Sequence, residues 1–242
     1  MRFRFFRKAS QTELDGITPL ESDEYWLQGG PATKLTPRVK ESAKKIPGEG
    51  MDAVKNVHKW IKRNFTSLGG KEGNDELRRR DIHISDWERT ADRILTDEID
   101  GEHFTRHCND FATLYIALLR AKGVPTRFVR TMTESAYNML NTGEKMEVND
   151  YTGHVFTEVK IGGDWILVDQ GRRYHSEGGP NVDLEHNWCR EVKVGERINE
   201  PESKQGPYII IEIGHDSHEM GVHNLTEFMK KFDTFVRDNP NL

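Results

Sequence analysis

The sequence predicts an α+β fold in which helices come first along the chain and an antiparallel sheet follows. Three observations indicate this. Apolar residues recur at helical spacing through the first half, apolar and polar residues alternate after Pro125, and Gly162-Gly163 joins two alternating segments as a hairpin turn does. The 242 residues suffice for one large domain or two small ones. We expect a single domain over residues 1–242, with an irregular arm at 1–36 and a core at about 37–237.

The composition is that of a polar globular protein, and it excludes several classes. Charged residues make up 31% of the chain and the net charge is -5, so neither nucleic acid nor a membrane surface is an expected partner. No apolar run approaches the roughly 20 residues that cross a bilayer, and the basic opening lacks the apolar centre of a signal peptide. We therefore expect a cytoplasmic protein, unless a leader segment has been removed.

Metal and cofactor sites are not expected. The two cysteines, Cys108 and Cys189, form no CxxC pair of the kind that binds zinc. Histidines cluster in GHDSHEMGVH (residues 214–223), but they lack the spacing of a metal-binding helix, and a polar turn explains them. Cys189 has no neighbouring base and is interpreted as a structural thiol.

Helices are predicted at about 37–46 and 51–64, and again from Ser85 onward. The last has a glutamate three residues after the serine, the spacing of a capping box, and places Trp87 on its buried side. The polar stretch 66–84 is expected to be a connection. The helix at 51–64 has one apolar face, formed by Ala53, Val54, Val57, Trp60 and Ile61.

The clearest helix begins at Cys108 and runs to about Lys122. Its residues are apolar on almost every face, which is typical of a helix inside a domain. Gly123 and Pro125 follow as stop signals. Beyond them the pattern predicts a strand at 126–132, a polar excursion at 133–152, a hairpin at 154–170, further strands at about 191–198 and 208–214, and a closing helix at about 224–237.

A cysteine at the start of a buried helix is chemically informative. A helix N-terminus carries partial positive charge and free N–H groups, which favour a thiolate and can hold a developing oxyanion. A buried cysteine that serves only as a small apolar side chain is the alternative. Cys108 therefore predicts a nucleophile, provided that a base lies near it.

The predicted hairpin supplies a base and a carboxylate on one face. With Gly162-Gly163 as the turn, Phe156 lies opposite Asp169, so His154 shares a face with this carboxylate and lies diagonally across from it. An imidazole that a third group orients can activate a nucleophile. The residues thus predict a catalytic triad of Cys108, His154 and Asp169.

Three ordered motifs, CNDFATLYIALLRAKGVPTR, GHVFTEV and WILVD, resemble the transglutaminase-like superfamily over roughly residues 85–170. The resemblance implies a papain-like fold, with the nucleophile at the N-terminus of a buried helix packed on an antiparallel sheet, and the same three triad residues. His107 stands where the family often has glycine, and DQGRR where it often has DPT, which leaves the substrate open. The family also implies a side chain that supports the oxyanion; Trp87 is the candidate, and a core position is the alternative.

These inferences predict a cysteine-dependent amide or peptide-bond hydrolase, or an acyl transferase, that works through a thioester. The expected substrate is a peptide, a protein or a small amide. Hydrolysis is favoured, because cross-linking members of the family are usually multidomain and deglycosylating members often carry paired zinc cysteines. The alternative is a catalytically silent module that binds a peptide or partner with the same fold.

Overall fold

The computed structural model describes residues 22–68, 70–79, 87–146, 152–169, 191–198 and 207–242. Helices dominate the first half of these residues and an antiparallel sheet the second, so the fold is α+β, as the sequence predicts. The helices among them are α1 (Asp23–Leu27), α2 (Pro37–Lys44), α3 (Gly50–Asn64), α4 (Gly70–Arg79), α5 (Ala91–Ile94), α6 (Cys108–Ala121), α7 (Glu134–Asn141) and α8 (Leu225–Asp238). Within the described ranges, none of the helices has the length and apolar character needed to span a membrane.

The strands form two sheets. Their bounds are β1 (Thr66–Ser67), β2 (Glu98–Ile99), β3 (Glu102–Thr105), β4 (Thr126–Thr133), β5 (Gly153–Ile161), β6 (Asp164–Val168), β7 (Arg197–Ile198) and β8 (Tyr208–Gly214). The larger sheet is antiparallel with the order β6-β5-β4-β8-β7, and the smaller one has the order β1-β3-β2.

The β5–β6 hairpin has the predicted register. Ile161 pairs with Asp164 across the turn. Gly162 and Gly163 have φ values of +63° and +99°, in the region that side chains other than glycine rarely adopt. A two-residue hairpin loop needs this conformation to match the twist of its strands, which explains the glycine pair.

Helix α6 lies against one face of the larger sheet and forms the centre of the core. Its residues from Leu114 to Leu119 are completely buried. They pack with α2, α3 and the β5–β6 hairpin through Val159, Ile166 and Val168. Each such side chain contributes about 1.5–3 kcal/mol by leaving water, so the helix is fixed by tertiary packing. Helices α7 and α8 cover the other end of the same face.

Several predicted boundaries are wrong. The expected connection at 66–84 contains β1 and α4, where Glu76 and Arg79 form an ion pair one helical turn apart. The expected excursion at 133–152 contains α7, which begins because the Thr133 hydroxyl accepts a hydrogen bond from the backbone N–H of Ala136 (3.2 Å). The segment 191–198 is a strand only at its last two residues.

The helix expected from Ser85 is shorter than predicted. Ser85 itself lies outside the described residues, and Trp87 has a left-handed backbone (φ +78°) that no helix contains. The helix that forms is α5, and its N-cap is Thr90, whose hydroxyl accepts from the Arg93 N–H at 3.3 Å. The capping-box spacing was therefore misleading.

The described part of the N-terminal arm, residues 22–36, contains α1 and is attached to the loop after β8. The backbone N–H groups of Ala32 and Thr33 donate to Asp216 Oδ2 at 2.8 and 2.9 Å. The His215 ring makes a 2.8 Å hydrogen bond to the Tyr25 carbonyl through Nε2. Polar residues of GHDSHEMGVH thus hold the arm in place.

Candidate active site

Cys108 is the first residue of α6, as predicted, and its thiol is half-buried. The preceding His107 is the N-cap, in an extended conformation (φ -111°, ψ 178°), and no side chain of the described residues caps the helix there. The N–H groups of the first turn are thus available beside the sulfur. Such groups stabilise negative charge on a thiolate or on an oxyanion.

A buried ion pair holds the start of α6. Asp110 Oδ2 accepts from Arg89 Nη1 at 2.7 Å and from the Arg106 backbone N–H at 3.1 Å. Arg89 also donates to the Phe104 carbonyl at 3.2 Å. Burial raises the pKa of Asp110, and the charge of Arg89 acts against this increase. The pair connects the loop before Cys108 to the first turn of the helix, and so fixes where the thiol lies.

His154 and Asp169 meet at the end of the hairpin. His154 Nε2 lies 2.8 Å from Asp169 Oδ1. The carboxylate side chain is 3% exposed and the imidazole 17% exposed, so the pair is sheltered while the ring keeps access to solvent. The rings of Phe156 (4.8 Å, edge-on) and Tyr208 (5.8 Å) pack against the imidazole and restrict its rotation.

The Cys108 side chain also acts on the charge of this imidazole. Burial alone would lower the pKa of His154, but the hydrogen bonds and charges of Asp169 and of the Cys108 side chain outweigh burial and raise it well above its ordinary value. Because Asp169 occupies Nε2, the ring atom left for the thiol is Nδ1.

Whether the Cys108 sulfur can reach the His154 ring depends on where α6 and β5 begin. Alternation along β5 directs Val155 and Val159 toward the helices, whereas His154 leaves from the opposite face. The thiol can still reach the ring because α6 begins at the end of the sheet where β5 starts. The structure therefore brings Cys108, His154 and Asp169 together at that end.

Trp87 is buried near the start of α6 in a strained backbone conformation. It belongs to the same apolar cluster as Cys108. Its ring stacks on Phe228 (4.7 Å between centroids) and its carbonyl makes a 2.7 Å hydrogen bond to His218 Nε2. A bulky residue with positive φ costs of order 1–3 kcal/mol and persists only where its surroundings hold it. Trp87 is 9% exposed and packs within an apolar cluster, so it occupies a core position, which was the alternative expectation.

The histidines of the loop after β8 form hydrogen bonds to other parts of the protein. The His215 ring bonds Glu219 through Nδ1 (2.8 Å) and the arm through Nε2, and the His218 ring bonds Trp87. In the part of the chain that the structure describes, no group of three or more His, Cys, Asp or Glu side chains is arranged to bind a metal ion. Cys189 lies outside the described residues.

Comparison with known proteins decides the family. The sequence model of the transglutaminase-like superfamily core matches residues 38–170, more than half of the chain, and this range includes the cysteine, the histidine and the aspartate described above. This chain belongs to the transglutaminase-like superfamily. The match begins well before the motifs that first suggested it, at helix α2.

This transglutaminase-like protein is also similar to a solved structure, that of a "putative cysteine protease" from Cytophaga hutchinsonii. The two share 19% sequence identity with a TM-score of 0.49, and the similarity covers 84% of this chain and 51% of the other. The chain thus spans about half the length of that protein. Among curated proteins, none matches this sequence.

Proposed function

We propose that this transglutaminase-like protein is a cysteine-dependent enzyme that cleaves an amide or peptide bond through a thioester on Cys108. Its family supports a cysteine hydrolase or transferase of this kind. One observation carries the proposal: Nε2 of the His154 ring lies 2.8 Å from the Asp169 carboxylate, so Nδ1 is the ring atom that can take up the proton of the thiol at the start of α6. This is the arrangement that a general base needs in order to activate a nucleophile.

The proposed reaction begins with proton transfer. Asp169 accepts the Nε2–H of His154 and so leaves Nδ1 free to take the thiol proton. The thiolate attacks the carbonyl carbon, and N–H groups at the start of α6 hold the oxyanion. The C–N bond then breaks, and the imidazolium gives its proton to the departing amine, which leaves a thioester.

The second half of the reaction decides between hydrolysis and transfer. Water that is deprotonated by His154 attacks the thioester, releases the carboxylic acid and restores the thiol. A second amine in place of water gives a new amide. We propose hydrolysis as the main reaction, because it needs no second substrate, with a peptide, a protein or a small amide as the donor.

An activated ester tests this proposal without knowledge of the natural substrate. With p-nitrophenyl acetate, we expect a burst of nitrophenol equal to the enzyme concentration and an acetyl group on the peptide that contains Cys108. Cys108→Ala should abolish the burst, and His154→Gln should slow acylation by about 10²–10⁴-fold. Cys189→Ala is the matched control and should keep the burst.

Other outcomes of this experiment have clear meanings. Acetylation on Cys189, or an unchanged rate in His154→Gln, would contradict the proposed mechanism. Complete absence of a burst in the unmodified protein would favour the silent binding module. Adding a fluorescent primary amine measures how much of the thioester goes to transfer and how much to hydrolysis.

A further inference from the structure

A buried arginine borders the apolar cluster against which the proposed nucleophile packs. Arg130 extends from β4, and its side chain is fully buried. Its guanidinium centre lies 5.3 Å from the ring centroid of Trp87, which shares an apolar cluster with Cys108. On the sheet, Arg130 pairs with the residue that follows His154. That residue, Val155, faces the helices, so the cation lies on the face of the sheet that α6 covers, beside the cluster against which Cys108 packs, whereas His154 leaves from the opposite face.

The charge of this arginine is only partly compensated. Arg130 Nη1 pairs with Glu212 Oε2, and the other oxygen of Glu212 accepts from Lys231 Nζ at 2.6 Å. The Nε and Nη2 atoms of Arg130 are buried without a hydrogen-bond partner among the described residues. The Glu212 carboxylate is therefore shared between Arg130 and Lys231. A buried cation with unused donors is stabilised by a further negative partner.

The surroundings of the guanidinium indicate that partner, because Cys108 packs against the apolar cluster whose Trp87 and Phe128 rings lie 5.3 and 5.7 Å from it. Burial lowers the pKa of Arg130, the charge and hydrogen bond of Glu212 act against this decrease, and the Cys108 side chain acts in the same direction as Glu212. Negative charge on the sulfur therefore stabilises the guanidinium, and by the same interaction the guanidinium stabilises the thiolate.

We propose that Arg130 is a positioning residue whose charge stabilises the thiolate of Cys108 from the face of the sheet on which α6 lies. This inference rests on the proposed function, because it concerns the same thiol. The proposed role gives a reason for the presence of a charged side chain, Arg130, in an otherwise apolar part of the core. Arg130 would then keep the nucleophile ionised while His154 carries the proton.

Other charged or titratable groups belong to the elements around the triad and Arg130, and a test has to separate their effects. The hairpin contributes His154 and Asp169, and Lys62 of α3 acts on Asp169. Glu212 of β8 pairs with Lys231 of α8. The start of α6 has His107 and Asp110, and Asp110 pairs with Arg89. Of these, the Arg130–Glu212 pair can be changed without altering the triad or the helix start.

The test is the rate of alkylation of Cys108 by iodoacetamide from pH 4 to pH 9, read by mass spectrometry. Arg130→Met should move the profile to higher pH by about one unit, and Arg130→Lys should restore most of the change. Glu212→Gln should move it to lower pH, because removal of the neutralising carboxylate leaves more of the cation's charge for the thiolate. These opposite shifts distinguish a charge effect from a packing effect, which would slow alkylation equally at every pH.

Arg127→Met is the matched control. Arg127 is a buried arginine on the same strand, but it lies on the opposite face and stacks on Trp165 at 3.8 Å. Its profile should equal that of the unmodified protein. If Arg130→Met does not fold, Glu212→Gln still decides, since Glu212 is partly exposed. An unchanged or upward-shifted profile in Glu212→Gln overturns the inference.

The proposed function and this inference can fail separately. If His154→Gln leaves the profile unchanged, the imidazole does not assist the thiol and the proposed function fails. If His154→Gln changes the profile but Arg130→Met and Glu212→Gln do not, only the role of Arg130 is refuted.

Discussion

The buried carboxylate of Glu158 should make the stability of the protein depend on pH. Glu158 is completely buried in β5. Burial raises its pKa from the ordinary 4.5 to about 7, although its Oε1 accepts from the Val192 N–H at 2.9 Å and Arg127 lies 3.7 Å from Oε2. Between pH 4.5 and pH 7 the folded protein therefore binds a proton that the unfolded chain has released. The free energy of unfolding must fall as pH rises through that window and level off above it.

The size of this effect follows from the shift. Each pKa unit is worth about 1.4 kcal/mol, so Glu158 alone should reduce the free energy of unfolding by about 3 kcal/mol between pH 4.5 and pH 8. Glu158→Gln is neutral at every pH and keeps an oxygen that can accept from Val192. We expect the stability of the variant relative to the unmodified protein to rise by about 3 kcal/mol across the same range.

Urea unfolding followed by tryptophan fluorescence measures this difference at a series of pH values. Glu88→Gln, at an exposed glutamate, is the control and should show no pH-dependent gain. A stability difference between Glu158→Gln and the unmodified protein that is the same at pH 4.5 and pH 8 would refute the reasoning, because it would mean that Glu158 ionises as freely when folded as when unfolded.

Three further substitutions test the surroundings of the thiol. Asp110→Asn leaves the buried Arg89 with only one carboxylate partner, Asp97 at 3.1 Å, so we expect a loss of about 1–3 kcal/mol in urea unfolding and slower acetylation; unaltered stability would contradict this. Gly153→Ala places a Cβ 2.2 Å from the Thr131 carbonyl oxygen, which must displace the start of β5 and slow alkylation, and an unchanged rate would count against it. His218→Ala removes the donor to the left-handed tryptophan and should cost about 1–3 kcal/mol, measured by thermal unfolding; a melting temperature equal to that of the unmodified protein would argue otherwise.

The parts of the fold with strong local signals could be predicted from the sequence. Helix α6 has apolar residues on nearly all sides, and the β5–β6 hairpin has alternation on both strands and a glycine pair between them. Helix α4 was missed because Leu77 is its one apolar residue, and α7 because only half of its residues are apolar and it packs on the distant α8. Trp87 was misplaced because its left-handed backbone is held by Phe228 and His218, which lie more than 100 residues away in the sequence.

The same distinction applies to the site. The contact of His154 with Asp169 follows from hairpin register, which is a local property. The pairing of Arg130 with Glu212 joins residues 82 positions apart, and no spacing in the sequence indicates it. The Arg89–Asp110 pair left one signal, the aspartate two residues after the cysteine, but its partner could be identified only from the folded chain.

The most direct test of the central claim is an NMR titration of the His154 ring with the Cys108 thiol free and then blocked as a mixed disulfide with methanethiol. If sulfur and imidazole form an ion pair, the pKa of His154 with a free thiol should lie well above its ordinary value of 6.5 and should fall when the sulfur can no longer carry charge. A ring that titrates identically before and after blocking would contradict the account, since the thiol would then have no electrostatic contact with its proposed base.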